Sequence, residues 1–98
     1  MARYKLTPEQ LETALTELDG WTVEDGKLTK QYKFKSFAAA MGWMVSAAIV
    51  IDKMDHHPEW LNVYNRVKVQ LVTHDMDNAI SSWDVDLAQK LDDLLCMD

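Results

Sequence analysis

Hydrophobic positions recur at helical spacing three times along the chain, and strand-like alternation fills the gaps between them. Thr7-Pro8-Glu9-Gln10 opens the first helical stretch: Thr7 can cap, Pro8 suits the first helical position and Gln10 completes a capping box. Leu11, Ala14, Leu15 and Leu18 then follow at helical spacing, and Gly20 ends the element. Trp21-Thr22-Val23 reads as a short strand. Asp25-Gly26 is a hairpin signal, because both central positions of a type I′ turn need positive φ. On the return strand Leu28, Tyr32 and Phe34 alternate with Thr29, Gln31, Lys33 and Lys35, while Lys30 interrupts the apolar side and predicts partial exposure.

Ser36 is placed to cap a second helix running to about Met54. No residue from Phe37 to Ile51 is charged, and apolar side chains occupy nearly every face. That stretch is short for a membrane span, which takes roughly 20 apolar residues. It fits a helix buried on two sides, one against the sheet and the other against a second copy or a partner. Trp60 to Tyr64 and Val67 to Thr73 form a second strand pair about a turn at Asn65-Arg66, with Val67, Val69 and Leu71 on one face. Ser81 to Leu95 is the last helix, striped by Leu87, Leu91, Leu94 and Leu95. The order α-β-β-α-β-β-α predicts an α+β fold: a four-stranded antiparallel sheet with three helices on one face, in a single domain over residues 1–98.

Composition narrows the partners. A net charge of −6 argues against a bare nucleic-acid binder, which needs a basic face. One cysteine, Cys96, allows no internal disulfide and suits a reducing compartment, where it reads as incidental to the last helix. The first residues lack the apolar stretch of a secretory signal, so the expected location is the cytoplasm, away from membranes.

All three histidines fall at element boundaries. His56-His57-Pro58 follows the second helix, Pro58 holds His57 extended, and the adjacent imidazoles point apart, which gives them different roles. His74 ends the fourth strand. Pairing through an Asn65-Arg66 turn puts positions 57 and 74 together, eight residues from each side of it. Imidazole can give and take a proton near neutral pH. Asp52, one turn before His56, and Asp84, in the first turn of the last helix, are candidates to orient an imidazole. Each has a plainer reading: Asp52 as a solvated helix residue, Asp84 as the partner of Ser81 in a capping box. Trp60 suits either stacking on a flat heterocycle or packing at the sheet. Three histidines and an aspartate could ligate zinc, but neighbouring histidines rarely share an ion, so no metal is expected.

Asp52, His56-His57-Pro58, Tyr64, Thr73-His74 and Asp84, in that order, resemble the signature of the pterin-4a-carbinolamine dehydratases. Gly20-Trp21, the lysine- and phenylalanine-bearing strand and the alanine-rich helix extend the resemblance over nearly all 98 residues. Asp52 departs from it, standing where glutamate is common and reaching less far. The resemblance implies loss of water from a 4a-hydroxytetrahydropterin, giving quinonoid dihydropterin without metal or bound cofactor. It implies a catalytic set of His56, His57, His74 and Asp84, with His56 and His74 moving protons, His57 holding the ring and Asp84, rather than Asp86, orienting a histidine. Asp52, Pro58, Trp60, Thr73 and Asp75 are the substrate-binding candidates. It further implies a homodimer or homotetramer through the sheet edge and helix 37–54, or a second role binding a protein partner through that helix.

Overall fold

The computed structural model describes residues 3–97, without the side chains of Cys96 and Met97, so the expectation for the Cys96 thiol lies outside the described groups. Helix α1 spans Pro8–Glu17, strands β1 and β2 Thr22–Glu24 and Lys27–Lys33, and helix α2 Phe37–Met54. Strands β3 and β4 follow at Glu59–Val63 and Arg66–Leu71, then a 3-10 turn at His74–Met76 and helix α3 at Ser82–Asp93. The last helix is shorter than expected, because Leu94–Met97 tighten into 3-10 geometry. Both capping boxes form, Thr7 with Gln10 and Ser81 with Asp84, and the Ser36 hydroxyl accepts from the Ala39 amide.

The sheet is antiparallel in the order β1-β2-β4-β3. Asp25 and Gly26 take φ of 54° and 73° between Glu24 and Lys27, the two-residue turn their sequence asks for. The second hairpin differs from expectation. Val63 pairs with Arg66, so the turn is Tyr64-Asn65, and Tyr64 takes the positive φ of 54°. The register therefore runs two residues away from the expected one, with Glu59 opposite Gln70.

Strand β2 is central in the sheet and, as expected, partly exposed, with Gln31 and Lys33 of its outer face in solvent. Lys30 does point to the inner face, but its ammonium binds Asp92 at 2.9 Å and the Asp19 carbonyl at 2.8 Å, over the Tyr32 ring. Gly20 makes room for this stem: its φ is +80°, and a β-carbon there would meet Lys30 Cε at 3.3 Å. Leu28, Tyr32, Val67, Val69 and Leu71 of the inner face meet Ala40, Trp43, Ala47 and Ile51 of α2 and Leu87, Ala88 and Leu91 of α3 in one core. Leu11 and Leu15 of α1 pack at its margin. By length and composition α2 could cross a membrane. In the fold its Ala40–Ile51 stripe is core, while Val45 and Ile49 on the other side are 63% and 68% exposed.

Candidate functional site

Helix α2 ends in a Schellman motif. Asp55 takes the left-handed conformation at φ 52°, its amide bonds the Asp52 carbonyl at 3.1 Å, and the His56 amide reaches back to Ile51 at 3.4 Å. That reversal turns His56 inward, where it is 6% exposed, and leaves the next residue, His57, in solvent. The two adjacent imidazoles thus occupy different environments, as the sequence suggested.

His56 Nε2 lies 2.6 Å from Oδ1 of Asp84, a carboxylate with no exposed surface. The other oxygen, Oδ2, accepts from the Thr73 hydroxyl at 2.9 Å and from the Ser81 amide at 2.8 Å. Asp84 therefore caps α3 and holds His56 at once, and the helix dipole favours its charge. A carboxylate has no hydrogen to give, so the bond assigns the proton to Nε2 and leaves Nδ1 as the basic nitrogen. His57 Nε2 meets Asp52 Oδ1 at 3.1 Å with both groups well exposed, a contact of small energy. His74 opens the 3-10 turn, is exposed, and its ring makes no hydrogen bond among the described residues. Glu59 senses it: the Lys27 hydrogen bond and charge, and to a lesser extent the His74 charge, hold the Glu59 carboxyl below its ordinary range.

The three histidines line one cavity of about 310 Å³, together with Arg3, Asp55, Asp75 and Trp83. The expected gathering of imidazoles at one end of the sheet is thus present, although the strand register behind it is not. Thr73 and Asp84 lie beneath the wall. Asp52 touches the site only through His57, and Pro58 is half-buried outside it. Trp60 is not at the cavity: it sits on the inner face of β3, 6.4 Å from the Trp43 ring in the core's aromatic cluster. Arg3 and Trp83 were not singled out in the sequence. Trp83, beside Asp84 in the capping box, carried a local signal, whereas Arg3 carried none. Among the described residues no group of three or more His, Cys, Asp or Glu side chains could hold a metal. A larger groove, about 430 Å³, lies between α1 and α3, lined by Tyr4, Leu6, Ala14 and Val85 with Glu9, Glu17 and Asp86 at its rim. It contains no histidine.

The Pterin 4 alpha carbinolamine dehydratase family model matches residues 4–94. The chain belongs to this family. Proteins from Brucella ovis and Brucella canis, assigned by name as pterin-4-alpha-carbinolamine dehydratases, are each 46% identical over 93 residues, covering 93% of this chain and 95% of theirs. A crystal structure from Brucella melitensis, described as a transcriptional coactivator/pterin dehydratase, matches with a TM-score of 0.87 at 43% identity, over 93% of this chain and 98% of that one. The chain is accordingly a pterin-4a-carbinolamine dehydratase by family, a hydro-lyase, built on the α+β order read from its sequence.

Proposed function

We propose that the histidine-lined cavity removes water from 4a-hydroxytetrahydropterin by general acid and base catalysis, recycling the pterin to its quinonoid dihydro form. The C4a–O bond breaks as the hydroxyl takes a proton and leaves as water. N5 gives up its proton, and the electron pair of that N–H bond becomes the second bond of C4a=N5. One group must donate and another accept. His56, with Nδ1 kept basic by the bond from Nε2 to Asp84, suits the base at N5. His74, whose ring makes no hydrogen bond among the described residues, suits the acid at the hydroxyl. His57 positions the ring, with Asp52 steadying it. Buried Asp84 acts through His56, as a positioning residue. The observation that carries this reading is the 2.6 Å His56–Asp84 bond on the wall of a cavity that His57 and His74 also line.

The test follows dehydration of freshly generated 4a-hydroxytetrahydropterin by absorbance, with His56→Ala, His57→Ala and His74→Ala alongside and chelator present. Losing a positioned acid or base costs about 10²- to 10⁴-fold. Acceleration lost in His56→Ala and His74→Ala, and weakened in His57→Ala, is the expected result. A folded wild-type chain that leaves the spontaneous rate unchanged would overturn the reading.

A second role is favoured by the uncovered apolar face of α2, where Phe37, Val45 and Ile49 stand exposed, and by the edge strand β3, which exposes Leu61 and Val63. Association into a dimer or tetramer through these surfaces, or capture of a protein partner by α2, would cover them. The setting we propose is cytoplasmic. Sedimentation of wild type against Val45→Asp separates the arms: a smaller species in the variant supports self-association, and an unchanged monomer in both leaves the helix to a partner.

A further inference from the structure

Arg3 reaches the cavity from a segment that the rest of the chain straps in place. The Ser82 amide bonds the Tyr4 carbonyl at 2.8 Å, the Tyr4 amide bonds the Ser82 hydroxyl at 3.1 Å, and the Leu6 amide bonds the Ile80 carbonyl at 3.1 Å. So strapped, Arg3 lays its guanidinium 4.7 Å from the centre of the Trp83 ring and grips Asp75 with two nitrogens, at 3.3 and 3.1 Å. Trp83 in turn meets His56 edge-on at 5.7 Å. Asp75 directly follows His74, in a turn whose next residues, Asp77 and Asn78, both have positive φ. Arg3 thus joins the turn that carries His74 to Trp83 at the start of α3, whose ring meets His56 and whose neighbour Asp84 holds it. It lies outside residues 4–94 that match the family model.

The geometry points to Arg3 as a positioning residue that, through Asp75, holds His74 in register with His56 across the bound pterin. This rests on the reading of His74 as a proton-transfer group. Exposure of the Arg3–Asp75 pair, 34% and 67%, makes its contribution to folding small, so its removal leaves the fold standing. Placement is the more sensitive quantity, since an ångström of misplacement can cost about 100-fold in rate. Lysine cannot reproduce the clamp, because an ammonium neither forks onto a carboxylate nor lies flat on an indole.

Steady-state dehydration of 4a-hydroxytetrahydropterin by wild type, Arg3→Ala, Arg3→Lys, Asp75→Asn and the Arg3→Ala/Asp75→Asn double variant tests it. The expected result is a kcat about 10-fold lower in Arg3→Ala and Asp75→Asn, KM changing less than kcat, and a double variant no slower than the slower single. Arg3→Lys should recover part of the loss, and it carries the test if the alanine variant folds poorly. An active wild type with kcat unchanged in the Arg3 variants, or with single losses that multiply in the double variant, would overturn the clamp and leave the dehydratase reading intact. A wild type that gives no acceleration would overturn both.

Discussion

Two of the four aspartates on helix α3, Asp84 near its start and Asp92 near its end, gather donors from distant parts of the chain. Asp84 takes His56, Thr73 and the Ser81 amide. Asp92 takes Lys30 at 2.9 Å, the Tyr32 hydroxyl at 2.6 Å and the Trp21 indole at 3.0 Å. The two clusters satisfy a carboxylate equally well, but only one can move a proton. Burial, together with the bond to Asp92 and its charge, pushes the Tyr32 phenol above its ordinary range, and indole and ammonium hold their hydrogens at neutral pH. Around Asp84, one donor is an imidazole on a cavity wall. The difference teaches that a satisfied carboxylate is a scaffold, and it becomes machinery only when a titrating partner also faces substrate.

Substitutions at the two ends should separate along that line. The largest effect falls on Asp84→Ala, which strips a cap and orphans three donors: about 3–5 kcal/mol of stability by chemical denaturation, with dehydration down about 10²-fold or more. Asp92→Ala should cost less, about 2–3 kcal/mol, and leave kcat within about twofold of wild type in the same assay. A fall in kcat as large as that of Asp84→Ala would erase the distinction. Tyr32→Phe removes one hydrogen bond to a carboxylate that keeps two others, and denaturation should register about 1 kcal/mol.

The smallest expected effect is the pH response of an ion pair on the open face of the sheet. Lys27 and Glu59 meet at 2.9 Å, and the Glu59 carboxyl is held below its ordinary range chiefly by that bond. A carboxyl depressed in the folded state adds stability above its unfolded pKa and loses it as pH falls through the folded value. Thermal unfolding from pH 6 to pH 3 should therefore show a slightly steeper fall for wild type than for Lys27→Met. Identical slopes would mean the pair contributes nothing.

Much of this was legible where a local rule governs. Thr7-Gln10 and Ser81-Asp84 spell capping boxes, Asp25-Gly26 spells its turn, and the alternation of Val67, Val69 and Leu71 places β4 against the core. What failed depended on distant partners. Lys30 looked like an interruption because the carboxylate that neutralises it, Asp92, lies 62 residues away. The second hairpin was misplaced because a tyrosine, not the neighbouring asparagine, takes positive φ, while Asn65 spends its side chain on the Phe34 carbonyl. Trp60 satisfied two readings locally, and only the position of Trp43 chose between them. The cavity's histidines were legible from their boundary positions, but Arg3 joins them only through contacts about 70 to 80 residues away in sequence, with Asp75 and Trp83.

The most direct measurement is kcat for 4a-hydroxytetrahydropterin in Asp84→Asn against Asp92→Asn, two near-isosteric changes on one helix. If the His56–Asp84 pair moves the proton, Asp84→Asn falls about 100-fold while Asp92→Asn stays within about twofold of wild type. Equal rates in the two variants, with both folded, would contradict it.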